Sequence, residues 1–180
     1  VLINKNNLNK KFEADGIITQ DHNISIAVLT ADCCPIFLYD IDNSFISCLH
    51  VGWKGAYKNI IKKAVERIIK IQPNIKKIQS IIGPCLHKIN FEVDKNFKKK
   101  FILKNSKYSK FFENYSKEEK HLFDFQSLIK FQLLESNLRN IEDINIDTYS
   151  NKSLFFSHRR STHFKDFSTG RMINIIGFKP

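Results

Sequence analysis

The sequence predicts an α/β protein of the α+β type, with mixed β-sheets packed together and helices flanking them. Strand-like and helix-like segments follow one another without strict alternation, which disfavours a doubly wound parallel sheet. No Gly-rich dinucleotide fingerprint and no Walker loop is present. The 180 residues are enough for one domain with a sizeable core and contain no internal repeat or Pro/Gly/Ser linker.

The elements follow in order. Residues 25–33 read as a strand ending in a turn, with Ile26, Val28 and Thr30 on one face. Residues 35–39 form a second strand, 40–44 a turn and 45–51 a third strand. Residues 55–71 make the clearest helix. Ala56, Ile60, Ile61, Ala64, Val65, Ile68 and Ile69 recur at helical spacing, with Lys and Glu opposite. Residues 77–83 are a strand stopped by Gly83-Pro84. Asp124 is placed to cap a helix over 125–138. Residues 144–150, 153–160 and 171–178 read as three closing strands.

Composition narrows the function. No apolar run reaches the roughly 20 residues of a membrane span, and no signal peptide is visible. The chain opens on Val1 rather than Met, so an upstream segment is expected. The net charge of +11 invites a nucleic-acid reading. Lys dominates over Arg, however, and Arg is the better bidentate reader of phosphate and guanine. The densest patch, residues 95–120, is read as a solvated face rather than a polyanion contact. Four cysteines, at 33, 34, 48 and 85, lack disulfide spacing, and Cys33 and Cys34 are poorly placed to bridge each other. Reduced thiols and a cytoplasmic location are expected.

Three stretches carry chemistry. Asp32-Cys33-Cys34-Pro35 closes the first strand, and His50 ends the third just before Gly52-Trp53-Lys54-Gly55. If those strands pair, Cys33 and His50 reach the same end of the sheet. A thiolate and an imidazole suit zinc, and equally a Cys nucleophile with a His base. A buried Cys acting as a small hydrophobe is the plainer alternative. Arg159, Arg160 and Arg171 form a basic C-terminal stretch suited to a phosphate or carboxylate. On a strand, only one of Arg159 and Arg160 faces a given pocket. Cys85 and His87 sit in a post-strand loop and are read as a turn closing the sheet rather than a second metal site.

Together these pieces resemble the polyphenol oxidase (laccase-domain) family typified by bacterial YfiH. The matching segments are Ala14–Thr19, Thr30–Pro35, His50–Gly55, Ile82–Leu86, Phe91–Val93 and Phe155–Met172, in the family's order and over nearly the whole chain. The resemblance implies packed mixed sheets with outer helices and a zinc held by His, Cys and His. Cys33 and His50 match two of those ligands. The third lies in a Gln-x-His motif upstream of Ala14-Asp15-Gly16, and no histidine precedes His22 here. Residues 1–180 are therefore expected to be one such domain without its N-terminal segment. Lys54 stands where the family usually has Arg, and Asp147 where Cys is common.

The resemblance also implies purine nucleoside phosphorylase activity toward adenosine, inosine, guanosine and methylthioadenosine, with adenosine deamination besides. Zinc's Lewis-acid chemistry accounts for deamination. Phosphorolysis further requires that phosphate be fixed and the departing base stabilised. Cys33 and His50 are expected at zinc, and Lys54, Arg159 or Arg160, and Arg171 at the anion. Asp32 either orients the histidine or accepts a proton, or is a turn carboxylate. The rival readings are copper-dependent phenol oxidation, a metal-free Cys-His hydrolase and a basic nucleic-acid-binding module. Six histidines and no His-x-His pair argue against the multi-copper reading.

Overall fold

Residues 34–40 are apolar on both sides of the strand, and that places them at the centre of the protein. In the computed structural model, which describes residues 1–73, 77–115, 119–166 and 168–178, Cys34, Ile36 and Leu38 are wholly buried in the main core. Phe37 and Tyr39 turn to the opposite face and join a second, smaller core.

This strand, β4 (Cys34–Asp40), lies inside a six-stranded mixed sheet. Its other members are β1 (Leu2–Ile3), β2 (Gly16–Thr19), β5 (Ile46–Val51), β6 (Ile78–Ile82) and β10 (Asn140–Asp143). The order is β1-β2-β5-β4-β6-β10. The two outermost pairs are parallel and the inner pairs antiparallel. One face carries the helices α2 (Ile60–Ile71), α3 (Lys95–Lys104) and α4 (Phe125–Glu135), which drive Ile61, Ile68, Phe101, Leu128 and Ile129 into the main core. The other face is covered by a two-stranded antiparallel sheet of β3 (Ile26–Thr30) and β11 (Met172–Ile176). Ile26 and Val28 point inward there, while Leu29, Ile173 and Ile175 stay exposed on its outer side. A small sheet of β7 (Glu92–Val93), β8 (Phe112–Asn114) and β9 (His121–Phe123) closes one flank.

Local signals fix the helix starts. The carboxylate of Asp124 accepts from the Ser127 N–H at 3.0 Å, and that of Asp94 from the Phe97 N–H at 2.8 Å. Phe97 and Phe101 then enter an aromatic cluster with Phe112 and Phe123. The polar side of α3 is lysine-rich and solvated, as expected for the basic patch; residues 116–118 of that patch lie outside the described residues.

Two expectations change. The helix over 55–71 is two helices, α1 (Trp53–Tyr57) and α2, separated by Asn59 in the left-handed region at φ 56°. Asn is among the few residues that visit this region readily. Of the three closing strands only β11 exists. Residues 144–150 form no strand: the Ile144 N–H donates to the Ile82 carbonyl of β6 at 3.0 Å, and Asp147 makes one isolated bridge with Cys85 beyond the sheet. Residues 153–160 run through turns into α5 (His158–His163), whose Ser157 hydroxyl accepts from the Arg160 N–H at 3.1 Å. A Phe-Phe pair before a capping serine mimics a strand in composition while the cap sets a helix.

Candidate metal and substrate site

The register of β4 on β5 aligns Pro35 with His50 and Cys34 with Val51. Cross-strand partners share a face. Pro35 and His50 therefore project together, and Cys34 and Val51 project into the core, where both are fully buried. Carried one step outward, the pairing sets Cys33 against Gly52 on the His50 face. The Cys33 Sγ indeed sits over Gly52, 3.0 Å from where a Cβ would be. Cys33 and His50 are thus diagonal neighbours on one sheet face, a relation that sets backbones roughly 7–8 Å apart. The His50 ring is 35% exposed, so it remains open to a ligand.

Electrostatics distinguish the two ways of using this pair. The Cys33 thiol is pushed up to about 11, first by burial and then by the Asp32 and Asp15 carboxylates, with Arg171 pulling the other way. Without a cation, such a thiol stays protonated at neutral pH. It is a poor nucleophile, yet a competent metal ligand once a cation displaces its proton.

Asp32 is a structural hub. It occupies a turn at φ 79°. Its carboxylate accepts from the Thr148 hydroxyl at 2.7 Å and from the Arg159 N–H at 2.6 Å, while its carbonyl accepts from the Leu86 N–H at 3.0 Å. It thereby ties the β3–β4 turn to the start of α5 and to the 83–87 loop. The carboxylate facing the His50 ring belongs instead to Asp15, at 3.5 Å.

The arginines divide by role. On a helix Arg159 and Arg160 are about 100° apart rather than on opposite faces. Arg160 donates to the carbonyls of Thr148, Tyr149 and Phe155. Its fork is filled by backbone oxygens that no strand would otherwise satisfy. Arg159 donates to the Glu92 carbonyl at 2.9 Å and lies 5.3 Å from the centre of the Phe91 ring. Arg171 holds the Thr169 and Gly170 carbonyls of its own loop. Lys54 is exposed, 5.6 Å from the centre of the Trp53 ring.

Of these groups, Asp32, Cys33 and Arg159 line a cavity of about 370 Å³ together with Gly52, Trp53, Phe91, His158 and His163, among others, whereas His50, Lys54, Arg160 and Arg171 do not line it. An adjoining hollow of about 500 Å³ shares Trp53, Phe91, Arg159 and His163 with it. A polar one of about 430 Å³ shares His158 and Thr162 and adds Ser161, Thr169, Lys165 and Arg171. Larger hollows lie beside α3 and around Phe156, but neither holds a cysteine, so chemistry rather than size picks out the first. His158 escaped sequence reasoning because residues 153–160 read as a strand, and His163 because it falls after that segment. Phe91 stood in a matched segment without a role.

A metal centre built on this pair would need further donors. Sulfur and imidazole are the donor types zinc prefers. Among the described residues, however, no group of three His, Cys, Asp or Glu side chains is placed to hold a metal ion. Cys33 and His50 would fill two of the four positions of a tetrahedral site. Cys85, by contrast, is wholly buried, forms no disulfide and makes an isolated bridge with Asp147.

A mixed sheet with a thiol and an imidazole at one rim, covered by a two-stranded ribbon, places this protein in the class of YfiH-like α/β proteins. The chain belongs to the family described as multi-copper polyphenol oxidoreductase laccase, whose model matches residues 1–179. A Rickettsia prowazekii protein named purine nucleoside phosphorylase RP494 is 37% identical over 167 residues, covering 93% of this chain and 69% of that protein. The Bacillus subtilis purine nucleoside phosphorylase YlmD is 31% identical over 169 residues, 92% of this chain and 59% of that one. The crystal structure of Bacillus licheniformis YfiH superposes with a TM-score of 0.80 at 30% identity, covering 92% of this chain and 61% of that one. The chain therefore spans about three fifths of YlmD and YfiH. Among the described residues, no helix is long and apolar enough to cross a membrane.

Proposed function

We propose that this chain carries the site of a zinc-dependent purine nucleoside phosphorylase, which joins a nucleoside and phosphate to release free base and sugar 1-phosphate, with adenosine deamination as a second activity. One observation carries the reading: the thiol of Cys33 shares a sheet face with the ring of His50 and itself lines a cavity with aromatic walls and a guanidinium. The names of the relatives support the reaction type.

When bound, zinc supplies Lewis-acid polarisation of oxygen ligands. The other roles belong to the chain. Trp53 and Phe91 offer flat walls for a purine. Arg159, pinned by Glu92 and Phe91, presents its remaining N–H groups without having to be ordered first. Arg171, with the hydroxyls of Ser161 and Thr162 nearby, is the anion contact assigned to phosphate. Arg160 and Asp32 hold α5 and its flanking loops in place, and Lys54 covers the outer side of Trp53. The raised Cys33 thiol disfavours the metal-free hydrolase, and nothing at this site calls for a nucleic acid.

The test is phosphate-dependent release of hypoxanthine from inosine, alongside metal analysis of the purified protein. Cys33→Ala and His50→Ala should each cost more than the ~10–100-fold typical of outer-shell changes, with zinc content falling in parallel. Undiminished turnover in Cys33→Ala would remove the metal role. Oxygen consumption with a phenol and added copper, in place of base release, would establish the oxidase reading instead.

A further inference from the structure

The segment Ala14-Asp15-Gly16 matches the family but has no role in the reading above. The register of β2 on β5 aligns Gly16 with Leu49, so the next pair outward sets Asp15 against His50. The His50 N–H donates to the Asp15 carbonyl at 2.7 Å. The Asp15 carboxylate then faces the Nδ1 side of the ring, with Oδ1 3.5 Å from Nδ1. The Gly16–Leu49 pair is itself close, since a Cβ on Gly16 would come within 2.9 Å of the Leu49 Cδ2. On its other side His50 pairs with Pro35, which brings no polar side chain.

We propose that Asp15 is the positioning residue of His50: its carboxylate holds the ring as the Nδ1–H tautomer and leaves Nε2 free as the metal donor. The physical reason is general. The tautomer of an imidazole is set by the partner of its other nitrogen, and a carboxylate behind a ligating histidine orients the ring. Only the metal half of this inference rests on the zinc reading above.

The experiment uses Asp15→Ala and Asp15→Asn in the complete chain. The Asp15 side chain is 66% exposed and its backbone carbonyl keeps its bond in any variant, so both variants fold, as thermal melting will check. The first readout is the neutral His50 tautomer in metal-free protein, from nitrogen chemical shifts of the ring. Wild type should be mainly Nδ1–H and Asp15→Ala mainly Nε2–H, with Asp15→Asn restoring the wild-type form through its amide oxygen. The second readout is zinc affinity by competition with a chromophoric chelator, expected to weaken about 10–100-fold in Asp15→Ala and less in Asp15→Asn. A wild-type ring already in the Nε2–H form, or an Asp15→Ala variant with unchanged tautomer and zinc affinity within twofold, overturns the proposal. If no variant, wild type included, takes up zinc, the metal reading fails, while the tautomer measurement still decides the role of Asp15.

Discussion

Asp32 shows why a residue type in a motif does not by itself assign a role. Beside a cysteine and near a histidine, its carboxylate reads equally as a proton acceptor or as a turn group. Its two oxygens are in fact committed to Thr148 and to the N-terminus of α5. Removing a buried acceptor leaves those donors unpaired, at about 1–3 kcal/mol. Asp32→Ala should therefore lower the denaturation midpoint clearly, and the loss should appear with or without metal. Cys33 and His50 could be read as a pair because β-pairing makes sequence positions into neighbours through a simple sum. Asp15 could not, since its partnership depends on which third strand flanks β5. Gly52 carries its own prediction. A methyl there meets the Cys33 sulfur at 3.0 Å, so Gly52→Ala should weaken metal uptake, measured by chelator competition, more than it lowers the melting temperature.

At the scale of elements, amphipathic periodicity was readable and interruptions were not. Ala64, Val65 and Ile68 face the core as their spacing requires, yet the break at Asn59 leaves no trace in the hydrophobic pattern. Its αL conformation is the signal, and only the Asn itself hints at it. The Asn59 oxygen also lies 3.5 Å from the Tyr108 hydroxyl and from the Gln132 amide. Asn59→Ala should destabilise by roughly 1–2 kcal/mol through αL strain, with Asn59→Gly recovering most of it in a urea melt. The cap at Asp124 was legible because an acid before an apolar run has one common use. Asp124→Ala should cost about 1 kcal/mol in the same assay. The C-terminal third misled because Phe-Phe and a short helix together outweigh a lone serine. That error hid the way Arg159 and Arg160 part company around a helix.

For the molecule as a whole, the layering was legible from the two-sided apolar character of β4, but the ribbon over the second face was not, because its two strands are far apart in the chain. Asp147 links several loops, accepting from the His87 N–H, from Asn90 and from Ser150. Burial raises its carboxyl, but the hydrogen bonds from Ser150, His87 and Asn90 outweigh this and hold it below its ordinary value. A carboxyl depressed on folding adds stability above its unfolded value near ~3.9, and that stability is lost as pH falls through the folded value. Asp147→Asn should therefore flatten the acid limb of stability against pH, measured by urea midpoints from neutrality downward. The ribbon has a further meaning for biosynthesis. Asn174 donates to the Thr30 hydroxyl from 144 positions away, and Arg171 arrives with the same late strand. On the ribosome, β4 and β5 emerge and can pair long before their cover is translated. For that interval the Cys48 thiol, which in the finished fold donates to the Asn174 carbonyl at 3.8 Å, stands bare to the cell's ions and oxidants, because its cover is translated 126 positions later.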